Sequence, residues 1–163
     1  RQTSGPGSRA GTRARGRRLI GPASPSIHWP QGGAGLRPIV TETVLRFLML
    51  AYCAASLLHF LHNAVFLHEY PNLPGWLSSA RVYAAWCGVT AVGLVGYWLH
   101  RAGYRMAGLM TIAVYAALGF GGLDHYAFAP VSAHSFTMNL TIGVEALAAA
   151  ALLIAVCVKA GRA

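Results

Sequence analysis

FTMNLTIGVEALAAAALLIAVCV, residues 136–158, is the stretch that decides the fold class of this chain. Glu145 is the only charged side chain in it. A helix of about 20 apolar residues is long enough to cross a lipid bilayer. The stretch therefore predicts a transmembrane helix.

Three earlier segments have the same apolar character. The four predicted helices cover residues 44–67, 82–99, 106–128 and 136–158. Their connectors are short, so neighbouring helices are expected to run antiparallel. We predict an all-α, multi-pass membrane protein in which residues 40–163 form an antiparallel four-helix transmembrane bundle.

The composition of the chain excludes an ordinary soluble domain. Hydrophobic residues make up 55% of the chain and charged residues 10%, whereas a typical soluble domain has about 25% charged residues. Most of the protein surface is therefore expected to face lipid. No phosphate-binding glycine loop and no Ser-His-Asp pattern identifies a reaction, so the sequence does not decide whether the protein is an enzyme.

Residues 1–39 differ from the rest of the chain. They are rich in Arg, Gly, Pro and Ser, and they carry seven of the thirteen basic residues but no acid. Such a segment cannot bury enough apolar surface to fold, so we predict a disordered basic tail. As an arm it would bind anionic lipid, with nucleic acid as a less favoured partner. Because a GUG valine codon can initiate translation in bacteria, we expect the protein to start at Val40.

The basic residues beside the four segments predict the orientation. Five of them fall on one side of the predicted membrane: Arg46, Arg101, Arg105, Lys159 and Arg162. Only Arg81 falls on the other side. Cytoplasmic flanks carry the excess of Lys and Arg, so both termini are predicted to be cytoplasmic, in the plasma membrane or bacterial inner membrane.

Histidines gather at the predicted extracytoplasmic end of the bundle. We select four as candidate metal ligands: His59, His62, His125 and His134. The secondary candidates beside them are Asn63, His68, Glu69 and Asp124. Imidazole and carboxylate ligands suit Zn, Cu or Fe, and we predict that at least three of the four imidazoles converge on one point. Two alternatives stay open: haem held by His59 and His134, and histidines that only hydrogen-bond to one another, to Asn63, to Asp124 and to water.

Glu145 is a second candidate feature, because ionisable groups inside a membrane are costly and are often functional. It follows His134 by eleven residues on nearly the same helical face, about 16 Å deeper, so it is not expected to share a ligand sphere with His134. The polar side chains predicted at its depth are Tyr52, Ser56, Thr90 and Tyr115. Helix one also carries a stripe of Tyr52, Ser56, His59 and Asn63. The stripe indicates either a proton or substrate route, or a buried carboxyl that only fixes helix register.

Three functions follow from these patterns. The first is a membrane protein that binds a transition metal or haem at its extracytoplasmic end in a redox role. The second is a small carrier or proton-coupled protein centred on Glu145. The third is a non-catalytic subunit of a membrane complex. The expected partners are the lipid bilayer and either another membrane protein or a second copy of the chain.

Overall fold

The computed structural model describes residues 40–162, and within that range all of the regular secondary structure is helical. The long helices are α1 (Glu42–Val65), α2 (Ser79–Arg101), α3 (Arg105–Leu118) and α5 (Phe136–Ala160). A short helix, α4 (His125–Phe128), follows α3 after a 3-10 segment, Gly119–Asp124. The predictions made for residues 1–39, a disordered tail and a start at Val40, fall outside the described residues apart from Val40 itself.

Local side chains set the ends of the helices. Thr41, Ser78 and Ser135 each precede a long helix and accept a hydrogen bond from a backbone N–H in its first turn. These hydroxyls satisfy amide groups that the helix itself leaves unpaired. The turn between α2 and α3 contains Gly103 at φ 98°, a conformation that favours glycine.

In the part of the chain that the structure describes, four helical stretches are long and apolar enough to cross a membrane. They are Glu42–Val65, Ser79–Arg101, Arg105–Phe128 and Phe136–Ala160. This confirms the predicted number of apolar spans. Many large apolar side chains cover the outer surface, among them Phe47, Leu50, Leu94 and Leu147.

The core lies between α1, α3 and α5. It is a cluster of nine buried residues: Leu45, Tyr52, Leu109, Ile112, Tyr115, Ala116, Ala149, Leu152 and Val156. Helix α2 packs on α3 through two glycines. A Cβ atom added to Gly93 would lie 2.8 Å from the ring of Tyr115, and one added to Gly96 would lie 2.9 Å from the amide nitrogen of Ile112. The close approach of the two helices depends on these glycines.

The third span changes its winding part of the way along. After Leu118 the helix tightens to 3-10 geometry over Gly119–Asp124 and returns to α geometry at His125. Side chains three residues apart align in a 3-10 helix, so Gly119 and Gly122 lie along one edge. That edge faces α1 and α5, because a Cβ atom at Gly119 would meet Tyr52 and Ala149. The absence of a side chain at Gly119 therefore leaves room for Tyr52 and Ala149.

Candidate functional site

Glu145 and His59 form a fully buried pair between α5 and α1. The carboxyl Oε2 of Glu145 lies 3.7 Å from Nε2 of His59. The two residues are 1% and 2% exposed. Charges in such surroundings are costly unless they are paired. The pair is therefore suited to holding one proton between a carboxyl and an imidazole.

Asn63 connects this pair to a second histidine. Its amide nitrogen Nδ2 lies 3.1 Å from Nε2 of His59 and 3.2 Å from Nε2 of His125. An amide NH₂ group has two protons to donate, so each imidazole accepts one of them at Nε2. Both rings then carry their own proton at Nδ1. The carbonyl Oδ1 of Asn63 is buried and has no hydrogen-bond partner among residues 40–162.

Helix α5 fixes the orientation of the His59 ring from the other side. Nδ1 of His59 lies 3.4 Å from the hydroxyl of Thr141, and that hydroxyl donates to the carbonyl of Met138 at 3.0 Å. Because the Thr141 proton is already used, its oxygen accepts the Nδ1 proton of His59. Every hydrogen bond in the series from Met138 to His125 therefore has one donor and one acceptor.

Tyr70 covers the outer side of this network from the loop after α1. Its ring centroid lies 4.9 Å from that of His125, and its hydroxyl lies 2.9 Å from Nδ1 of His62. Burial raises the pKa of Tyr70 to about 12. The phenol is therefore protonated at neutral pH and donates to His62.

The glycine-rich 3-10 segment forms the third wall of the site. A Cβ atom at Gly122 would lie 3.2 Å from Oε2 of Glu145 and 3.4 Å from Nε2 of His59. A Cβ atom at Gly121, by contrast, would have no atom within 4 Å. Gly122 is thus the position at which the backbone approaches the pair.

Several polar atoms in this region have no partner among the described residues. They are the hydroxyls of Tyr52 and Ser56, Oδ1 of Asn63 and Oε2 of Glu145. Buried polar atoms are nearly always hydrogen-bonded, to protein or to water. These four atoms therefore form a polar region inside the helices, and a molecule that hydrogen-bonds to them would stabilise the fold.

The structure does not support the predicted metal site. Within residues 40–162, no three His, Cys, Asp or Glu side chains are arranged to hold a metal ion. His62 is turned toward Tyr70, and Nδ1 of His134 donates to the carbonyl of Pro130 at 3.1 Å. The amide of Asn63 stands between the remaining two imidazoles. The imidazoles of His59 and His125 are thus part of a hydrogen-bonded network, and the convergence of three imidazoles on one ion stays a prediction.

The other predicted site residues fall into two groups. Tyr52, Ser56 and Tyr115 are buried beside the network, with the two tyrosine rings 4.5 Å apart. The exposed candidates His68, Glu69 and Asp124 lie at the surface. Binding of Zn, Cu or Fe and haem ligation by His59 and His134 stay predictions. Elemental analysis and an absorption spectrum of the purified protein test them.

The structure brings Glu145 closer to the histidines than the sequence predicts. Glu145 was placed deep in the bundle and the histidines at its outer end, yet Glu145 lies beside His59. Sequence reasoning missed the roles of Tyr70, Gly119 and Gly122. The signal available for the glycines was the run Gly119-Phe120-Gly121-Gly122 inside an apolar span, which is unfavourable in an ordinary helix.

Comparison with known proteins adds no family. No protein-family model, no curated protein and no solved structure matches the chain. The functional argument therefore depends on the chemistry of the site.

Proposed function

We propose that this chain is a four-span membrane protein that moves protons, with the Glu145–His59 pair as its proton-binding site. The observation that carries the proposal is the 3.7 Å approach of a fully buried carboxyl to a fully buried imidazole. Intramembrane acids and histidines commonly mark proton relays. The neighbouring Asn63 and His125 supply a continuation toward the end of the bundle where Tyr70 lies.

Insertion into a membrane is part of the proposal. It is supported by the length and composition of the four apolar helices and by the apolar side chains on their outer surface. The excess of Lys and Arg at the end formed by Arg101, Arg105 and Lys159 favours a cytoplasmic location for that end. The opposite end, where Tyr70 lies, is then extracytoplasmic.

The proposed mechanism has three steps. A proton passes from Glu145 to His59, and the side-chain amide of Asn63 then rotates. The proton finally moves to His125. The side chain of Glu145 first closes the 3.7 Å gap to hydrogen-bonding distance. Its carboxyl then gives its proton to Nε2 of His59, which leaves a carboxylate beside an imidazolium. Nε2 of His59 has then changed from acceptor to donor, so the NH₂ group of Asn63 can no longer donate to it. Rotation of the amide presents the unpartnered Oδ1 of Asn63 to the new N–H group. The rotation also withdraws the bond to His125 and frees its Nε2 to accept a proton. Since an amide does not itself carry a proton, the proton leaves His59 for this nitrogen through a bridging water, and His59 returns to its neutral form.

Proton flux into proteoliposomes tests the proposal. Purified protein is reconstituted with an internal pH-sensitive dye, and a potassium diffusion potential drives proton entry. The wild type is expected to acidify the interior faster than empty liposomes do. Glu145→Gln keeps the shape of the side chain but cannot ionise, so it is expected to reduce the flux to the empty-liposome rate.

Glu69→Gln is the matched control, since Glu69 is an exposed carboxyl in the loop after α1. It is expected to leave the flux unchanged. A folded Glu145→Gln protein with wild-type flux, or a wild type no faster than empty liposomes, would contradict the proposal. Folding of each variant is checked by size-exclusion chromatography and helical circular dichroism.

A further inference from the structure

A basic cavity lies at the opposite end of the helices from the Glu145–His59 network. It has a volume of about 430 Å³ and is formed where α1 and α3 begin and where α2 and α5 end. Its basic lining residues are His100, Arg101, Arg105, Lys159 and Arg162, and its only acid is Glu42. The cavity therefore carries a strong excess of positive charge.

Glu42 compensates only part of that charge. Its carboxylate Oε1 contacts Nζ of Lys159 at 2.8 Å and Nε2 of His100 at 3.1 Å. Within the described range, residues 40–162, no acid forms an ion pair with Arg101, Arg105 or Arg162. Three guanidinium groups, which can bind phosphate through paired N–H donors, are thus left around one cavity.

His100 lines the cavity and carries a buried, unpartnered nitrogen. The residue is 9% exposed and lines the cavity, yet its Nδ1 has no hydrogen-bond partner in the described part of the chain. Burying an unpartnered polar nitrogen costs free energy. This nitrogen has almost no accessible surface, so the three guanidinium groups, and not His100, are the groups that indicate an anionic ligand.

We propose that this cavity binds the phosphate group of an anionic membrane lipid. Aromatic side chains typical of a bilayer interface surround this end: Trp98 and Tyr104 are each 64% exposed, and the guanidinium of Arg46 lies 6.0 Å from the centre of the Tyr97 ring. The cavity wall is also partly apolar, through Leu109 and Val158. A lipid phosphate would lie among the guanidinium groups while its acyl chains enter the bilayer beside them. This inference rests on membrane insertion but not on proton transport.

Native mass spectrometry of the purified full chain tests the proposal. The protein is titrated with phosphatidylglycerol, with phosphatidylcholine of the same acyl chains and with inorganic phosphate. Phosphatidylglycerol is expected to bind at least tenfold more tightly than phosphatidylcholine and to be displaced poorly by inorganic phosphate. Equal binding of the two lipids would overturn the proposal, and so would full displacement by inorganic phosphate, which would indicate a site for a soluble anion.

Variants locate the binding site. Arg105→Gln and Arg162→Gln each remove one cavity guanidinium and are expected to weaken phosphatidylglycerol binding by roughly tenfold, the equivalent of one charge-assisted hydrogen bond. Arg46→Gln removes a charge at the same end but outside the cavity, and it is expected to weaken binding by less than about threefold. Arg162 is exposed near the end of α5, so its replacement leaves the helical core intact. Equal losses in all three variants would overturn the assignment to the cavity.

Discussion

Asn63 connects the two histidines of this site through one side chain. Its single amide nitrogen holds two imidazoles that belong to different spans, at 3.1 and 3.2 Å. An amide also has a distinct donor end and acceptor end, so its orientation depends on which of the surrounding groups carries a proton. Its position makes Asn63 the residue that links the protonation of His59 to the rest of the network.

Tyr70→Phe tests the outer part of that network and its dependence on pH. Loss of the phenol removes the bond to His62, so we expect a loss of about 1 kcal/mol in stability at neutral pH. Burial raises the pKa of Tyr70 from 10.0 to about 12. The stability that comes from keeping this phenol neutral is therefore fully present below pH 10 and is lost as the pH rises to about 12.

Thermal unfolding measured from pH 7 to 12 checks this expectation. The difference in stability between the wild type and Tyr70→Phe is expected to shrink between pH 10 and 12. Tyr83→Phe, an exposed tyrosine in α2, serves as the control. A difference that stays constant over that interval would show that Tyr70 ionises like a surface phenol.

Sequence reasoning found most of the residues of the site but not their arrangement. His59, Asn63, His125 and Glu145 were selected because polar groups in apolar spans are costly. The bond between Asn63 and His59 follows from their spacing of four residues in α1. The partners on other helices could not be read from spacing, because they depend on how α1, α5 and the third helical stretch cross. His62 illustrates the difficulty, since it lies three residues from His59 but bonds to Tyr70 in a loop.

At the scale of helices, the 3-10 segment Gly119–Asp124 leaves space for the buried Glu145–His59 pair. Gly122→Ala would add a methyl group 3.2 Å from Oε2 of Glu145 and 3.4 Å from Nε2 of His59. The carboxyl of Glu145 must then shift by a few tenths of an ångström relative to His59, so we expect a several-fold loss of proton flux with folding retained. Gly121→Ala adds the same methyl group to open space and is expected to leave the flux at the wild-type rate.

Flux measurements on the two alanine variants in parallel separate a local effect from a general one. If Gly121→Ala lost as much flux as Gly122→Ala, the cause would be the helical preference of the segment and not the contact with Glu145. Equal, wild-type flux in both variants would show that the pair tolerates the added methyl group.

The number of helices could be predicted from the sequence, whereas their ends and winding could not. Hydropathy predicts the second helix at 82–99, but α2 extends over Ser79–Arg101. The helix is longer because Ser78 caps its first turn and because its two ends include polar residues, which lower the hydropathy but not the tendency to form a helix. The predicted third helix, 106–128, is divided by Gly119–Asp124. An average over apolar side chains does not detect a change of winding, because that change lies in the backbone hydrogen bonds.

For the molecule as a whole, the positive-inside pattern predicts the topology. A fluorescent protein fused after Arg162 is expected to fluoresce in the cytoplasm, and alkaline phosphatase inserted in the loop that contains Asn72 is expected to be active outside it. The physical reason is that Arg101, Arg105 and Lys159 resist translocation across the membrane, while the opposite end has only Arg81 beside a span. Activity of both reporters on the reverse sides would indicate the inverted orientation.

The 3-10 winding of Gly119–Asp124 also bears on how the protein fluctuates. Hydrogen bonds in a 3-10 helix have poorer geometry than those in an α-helix, and weakly bonded segments open at a lower free energy than the rest of a fold. Amide protons of Gly119–Asp124 are therefore expected to exchange with deuterium faster than those of Arg105–Leu118. Because Gly122 faces Glu145 and His59, each such opening would briefly hydrate a carboxyl that is otherwise sealed. If the pair carries protons as proposed, the lifetime of the open state would limit how often a proton can enter or leave.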